Sequence, residues 1–109
     1  MDLIGTTELK KKLDRGEDFK LVMCLGRWAY RTKHIPGSLH LSTMEEWLET
    51  LDPCDDIVLY ESSPYCVVSR RVYKFLKAHG YERVRCYAGG LEEWERAGHP
   101  LEGTGIRRV

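Results

Sequence analysis

Two rhythms of apolar residues alternate along this chain. Short, mostly apolar runs of strand length appear at Phe19 to Cys24 (FKLVMC), Ile57 to Tyr60 (IVLY) and Val84 to Tyr87, with a shorter one at Ser38 to Leu41. The run Ile57 to Tyr60 is wholly apolar, as expected for a strand in a sheet covered on both faces. Between these runs the pattern turns helical. Thr6 or Thr7 can cap a helix through about Leu13, ended by Gly16. Gly26 to Gly37 reads as irregular, with one helical turn around Trp28 to Thr32. Ser42-Thr43-Met44-Glu45 has the spacing of a capping box and starts a helix to about Leu51, with Met44, Trp47, Leu48 and Leu51 on one face. Asp52-Pro53 breaks it. Val68, Val72, Phe75 and Leu76 follow an i, i+4, i+7, i+8 stripe, which predicts a helix capped by Gly80. Leu91 to Arg96 forms a last helix, closed by Gly98 and Pro100, and residues 104–109 read as a loose tail.

Strands alternating with helices predict an α/β fold: a mainly parallel sheet with helices on both faces. Ligands in such folds bind beyond the C-terminal ends of the strands. The chain of 109 residues suits one domain, and its 42% hydrophobic residues supply an ordinary core. Seventeen basic and 17 acidic side chains cancel, which argues against nucleic acid or an anionic membrane as the main partner. Met1-Asp2-Leu3-Ile4-Gly5-Thr6 lacks the basic and then apolar pattern of a signal peptide, and no apolar run has spanning length. A cytoplasmic location is the expectation.

The loop after Tyr60 is where chemistry is expected. It runs Glu61-Ser62-Ser63-Pro64-Tyr65-Cys66-Val67 and leads into Val68-Ser69 at the start of a helix. Backbone N–H groups are unpaired at a helix start, and they favour negative charge. A thiol in that field ionises more readily, so Cys66 is the candidate nucleophile. Its alternative is a partly buried thiol packed under the helix. Cys24, Cys54, Cys66 and Cys86 are scattered, with no C-x-x-C pair and no histidine at metal spacing. No metal, no other cofactor and no disulfide framework are expected. Cys54 and Cys86 read as small buried hydrophobes.

Five segments, taken in order, resemble rhodanese-like domains: His34-Ile35-Pro36-Gly37-Ser38, Asp56 to Tyr60, Gly80-Tyr81, Tyr87-Ala88-Gly89-Gly90-Leu91-Glu92-Glu93-Trp94, and Ala97-Gly98-His99-Pro100-Leu101. The resemblance covers roughly residues 4 to 103, nearly the whole chain. It implies a five-stranded parallel sheet flanked by helices, and sulfurtransferase chemistry. A cysteine takes a sulfane sulfur from a donor such as thiosulfate, carries it as a persulfide and passes it to a thiol or cyanide. The implied partners are a small sulfur-containing anion or a thiol acceptor, with a protein partner as a further option.

Two departures stand out. Active members of the family carry the cysteine directly after the strand, where this chain has Glu61. The family's Asp-x-Arg after the earlier strand is replaced by Met23, Cys24 and Leu25. Members with a longer loop resemble C-x-x-x-x-C-x-x-S. Here the second cysteine (Cys66) and the serine (Ser69) are present and the first cysteine is Glu61. A rival register, in which Tyr65-Cys66 would be the Tyr-Cys pair, fails because Pro64 cannot pair in a central strand. It also ignores the apolar stripe that begins at Val68.

Glu61 is a candidate general base for Cys66; its bland reading is a solvated loop residue, or a partner of Arg70 or Arg71. Arg70 and Arg71 could bind an anion or simply face solvent. Cys24 is a candidate redox partner of Cys66, subject to strict disulfide geometry. Ser69 reads as a hydrogen-bonding residue of the first turn, and His34 as a structural residue. Trp28, Trp47 and Trp94 read as core or groove aromatics. A cysteine-dependent phosphatase would need an arginine six positions after Cys66, where the chain has Val72. The second functional reading is therefore a catalytically silent module that binds a protein partner or a small anion.

Overall fold

The computed structural model describes residues 2–24, 26–41, 43–61 and 68–105. The elements run β1 (Leu3–Ile4), α1 (Thr6–Asp14), β2 (Lys20–Met23), α2 (Arg27–Thr32), β3 (Leu39–His40), α3 (Met44–Thr50), β4 (Ile57–Tyr60), α4 (Val68–Ala78), β5 (Val84–Tyr87) and α5 (Gly90–Arg96). The five strands form one sheet in the order β1-β5-β4-β2-β3, every pair parallel. The α/β expectation is met. β1 was not legible as a strand, because two residues are too few to show a period.

Alternation along the strands divides the core in two. Val58 and Tyr60 of β4 face one layer with Leu9 of α1, Tyr30 of α2, and Leu91 and Trp94 of α5. Ile57 and Leu59 face the other layer with Trp47 of α3 and Val72, Phe75 and Leu76 of α4. All four residues of β4 are buried, as a strand covered on both faces requires.

Several local expectations are corrected. Thr6 is the first helical residue of α1 and bonds through its hydroxyl to the Tyr87 hydroxyl at 2.7 Å, while Gly5 holds the cap position. The cap of α3 is Thr43, whose side chain accepts from the Glu46 N–H at 3.1 Å, one residue later than the Ser42 register. Met44 is 66% exposed and Leu48 41%, so α3 packs through Trp47, with Leu51 buried just past its end. Trp28 is 80% exposed and belongs to no core. Cys54 is exposed in the turn after α3, whereas Cys86 is buried as expected. The tail is not loose at its start: Thr104 and Gly105 donate to the carbonyls of Arg31 and Thr32, each at 2.9 Å. Residues 106–109 lie outside the described residues.

The turns around the C-terminal edge of the sheet are pinned by named bonds. The Tyr60 hydroxyl accepts from the Ile35 N–H at 3.1 Å and pairs with the Ser38 hydroxyl at 2.7 Å. His34 and Glu102 exchange backbone hydrogen bonds of 2.8 and 2.9 Å, and the His34 ring stacks on Tyr30 at 4.0 Å. The Trp94 indole donates to the Pro100 carbonyl at 2.8 Å. Gly90 opens α5 at φ 66°, a backbone that side-chain-bearing residues rarely adopt. Among the described residues, no helix is long and apolar enough to cross a membrane.

Candidate active site at the end of the central strand

Strand β4 ends at Tyr60, and alternation decides what the next residue does. Leu59 faces α4, so the Glu61 side chain, two positions on, is directed to the same side. Its backbone is fixed by both neighbours. The Cys24 N–H donates to the Tyr60 carbonyl at 2.9 Å, and the Leu91 N–H donates to the Glu61 carbonyl at 2.8 Å.

The Glu61 side chain is 3% exposed. One carboxylate oxygen, Oε1, accepts from the Ser69 N–H at the start of α4. That amide lies in the first turn, where helix donors lack intrahelical acceptors. The other oxygen, Oε2, is buried and has no hydrogen-bond partner among the described residues. The expectations of a solvated Glu61, or of one paired with Arg70 or Arg71, are therefore corrected. Glu61 has no ion pair among the described residues, and Arg70 and Arg71 are exposed on α4. Ser69 acts through its backbone, as a first-turn hydrogen-bonding residue.

The charge at Glu61 acts on two nearby thiols. Burial and then the Glu61 carboxylate push the Cys24 thiol well above its ordinary range. The same two causes push Cys86 up to about 11. Both are neutral thiols at pH 7, which makes either a poor nucleophile. Cys24 is partly buried just after β2, and its Sγ lies 4.0 Å from the Val22 carbonyl oxygen. Ser62, Ser63, Pro64, Tyr65, Cys66 and Val67 lie outside the described residues, so the pairing of Cys66 with Cys24 and its attack on a donor stand as sequence expectations.

Beside Cys24 opens a cavity of about 360 Å³. Met44, Trp47, Val68 and Val72 supply apolar wall, and Arg27 and His40 supply basic groups. Sequence reasoning did not assemble this cavity, because its lining comes from Cys24 just after β2 and from β3, α2, α3 and α4, and no segment carries the pattern alone. It also missed Tyr60 as the anchor of the Ile35 to Ser38 turn. The available signal was a tyrosine ending an otherwise aliphatic buried strand, since a buried hydroxyl needs partners.

A family model described as "Rhodanese-like domain" matches residues 5–97. The thiosulfate sulfurtransferase GlpE of Actinobacillus succinogenes is 34% identical over 68 residues, covering 61% of this chain and 60% of that protein. Its namesake from Actinobacillus pleuropneumoniae serotype 3 is 37% identical over 82 residues, covering 70% of this chain and 68% of that protein. The matches thus span about three fifths to two thirds of those relatives' own length. Among solved structures, the rhodanese-like domain of an Anabaena protein superposes with TM-score 0.87 at 25% identity, covering 100% of this chain and 84% of that one. A Bacillus halodurans protein gives TM-score 0.87 at 23% identity, covering 95% and 78%, and supports the fold alone.

Proposed function

The chain belongs to the rhodanese-like domain family, and from that premise we propose that it handles sulfane sulfur through Cys66. In the forward step the Cys66 thiolate attacks the outer sulfur of a donor such as thiosulfate or a polysulfide. With thiosulfate the S–S bond breaks, sulfite leaves and Cys66 holds a persulfide. A thiol acceptor, as thiolate, then attacks the outer sulfur and the Cys66 thiolate departs. The partners are a small sulfur donor and a thiol acceptor, in a cytoplasmic setting, with no nucleic acid and no membrane.

The observation that carries this reading is the hydrogen bond between Glu61 and Ser69. It ties the end of the central strand to the first turn of α4, at the edge of the sheet where ligands bind in such folds, and in sequence Cys66 falls between these two residues. Cys66 precedes Val68, the first residue of α4, by two positions. A cysteine so near a helix N-terminus gains thiolate character, while Cys24 and Cys86 are held as thiols.

A second reading, a catalytically silent module that binds a protein partner or a small anion, is favoured by one feature. The position of the family's usual first cysteine is filled by the buried carboxylate of Glu61. Alkylation separates the two. Under limiting iodoacetamide at pH 7, the sulfur-carrier reading expects Cys66 to react faster than Cys24, Cys54 and Cys86, followed by peptide mass spectrometry. Equal rates at Cys66 and exposed Cys54 would favour the silent module.

A further inference from the structure

The exposed apolar surface of this chain is gathered largely in one place. Of the five large apolar side chains that stand exposed among the described residues, Leu3 lies on β1 at one edge of the sheet. The other four, Trp28, Met44, Leu48 and Val68, lie on α2, α3 and the start of α4. These three helices meet at the cavity beside Cys24, which Arg27, Met44 and Val68 help to line. A second cavity, of about 320 Å³, lies between α2 and α3 over β3, the other edge strand, with Arg27, Arg31 and Glu46 among its lining. Single apolar residues are ordinary on a surface, whereas an exposed tryptophan beside arginines has the composition of an interface centre. The charges around this patch are segregated. Those of α2 are basic, Arg27 and Arg31, and those of α3 are acidic, Glu45, Glu46 and Glu49. Arg27, Arg31, Glu45 and Glu49 are exposed and make no ion pair among the described residues. Elsewhere on the surface Lys10 pairs with Asp14, Arg85 with Glu8 and Arg96 with Glu92, at 2.5, 2.6 and 2.9 Å.

We propose that this face binds a second copy of the chain: α2 of each protomer lies against α3 of its partner, with Trp28 packed on the partner's Met44 and Leu48, and with Arg27 and Arg31 facing the partner's Glu45 and Glu49. A surface with a basic half and an acidic half is complementary to itself when a two-fold axis lays one half on the other. Each contact then occurs twice, as an isologous interface requires. The formal net charge of zero leaves no overall repulsion between copies. β3 has only two residues, so joining the sheets across this edge offers few backbone hydrogen bonds, and helix side chains must make the contact. Burial of Trp28 supplies the apolar drive, and the charge pairs fix the orientation.

Sedimentation velocity on the full chain, from about 1 μM to about 500 μM, reads the assembly. A dimer is expected within that range, and a monomer throughout overturns the proposal. Trp28→Ala should weaken the dimer at least about tenfold. Two charge variants, Arg27→Glu with Arg31→Glu and Glu45→Lys with Glu49→Lys, are each expected to be monomeric over the range, because each sets like charges across both contacts. Mixed in equal amounts, the two should recover a heterodimer, since every contact then joins opposite charges. That recovery also shows that both variants are folded. If either double variant fails to fold by circular dichroism, the single changes Arg31→Glu and Glu49→Lys are held to the same criterion. A dimer that Trp28→Ala or either charge variant leaves as tight as the parent overturns the proposal, as do folded monomeric charge variants that form no heterodimer when mixed.

Discussion

At the scale of single residues, Tyr60 and Glu61 divide the end of the central strand between two layers. The Tyr60 ring lies in the layer of α1 and α5, and its hydroxyl satisfies the buried Ile35 N–H and the Ser38 hydroxyl. Tyr60→Phe removes the acceptor and leaves that N–H buried. The expected loss is about 1–3 kcal/mol of unfolding free energy, measured by urea titration. A loss below about 0.5 kcal/mol would mean that the turn finds another acceptor. Glu61 shows how far the sequence could be read. Its register after the strand was legible from the order Ile57 to Tyr60 and from the family resemblance. Its burial was not, because a glutamate opening a polar, Pro-containing loop has the composition of a solvated residue. Only the continued alternation from Leu59, together with the facing amide of Ser69, turns it inward. Cys54 was misread for the converse reason. Its neighbours Asp52 and Asp55 cap their own backbone in an exposed turn, with the Cys54 N–H donating to Asp52 Oδ1 at 2.9 Å.

At the scale of elements, long periodic segments were legible and short ones were not. Of the stripe Val68, Val72, Phe75 and Leu76, the last three pack into the core layer, whereas Val68, the first residue of α4, is exposed; eleven residues still give three turns of evidence for the packed face. The seven-residue α3 gave too few: of its three apolar residues, Met44 and Leu48 are exposed. Of the two, Met44 lines the cavity beside Cys24, together with Trp47. The start of β4 is tied to α1 by Lys12, whose ammonium bonds Asp56 at 2.5 Å and Glu17 at 3.0 Å. Glu17 lies just past α1 and Asp56 just before β4, so this cluster holds the edge opposite the candidate site. Pinning at one edge of the sheet and loop chemistry at the other is the division of labour that parallel α/β sheets permit.

For the whole molecule, several buried groups retain their protons beyond the usual range. Burial pushes Tyr60 up to about 12 from an ordinary 10.0, outweighing its bonds to Ser38 and Ile35. Cys86 stands at about 11 from 9.0, by burial and then the Glu61 charge, and Cys24 is raised for the same reasons. Burial opposes the charge on Lys12, but the hydrogen bonds and charges of Asp56 and Glu17 outweigh it, and Lys12 is raised from 10.5. In each case the folded chain binds the proton more tightly than the unfolded chain. Stability from these groups is therefore complete below about pH 9 and is lost as pH rises through 9 to 12. Urea midpoints should be level near pH 8 and fall steadily above pH 9; a midpoint that holds or rises to pH 11 would contradict these shifts.

The central claim is that Cys66 carries sulfane sulfur although Glu61 occupies the position after the strand. Intact-protein mass spectrometry tests it most directly, after separate incubations with thiosulfate and with a polysulfide, and with Cys66→Ser as control. The account predicts the gain of one sulfur atom, removed by cyanide and absent from Cys66→Ser. No gain from either donor would contradict it and would leave the silent binding module as the function of this fold.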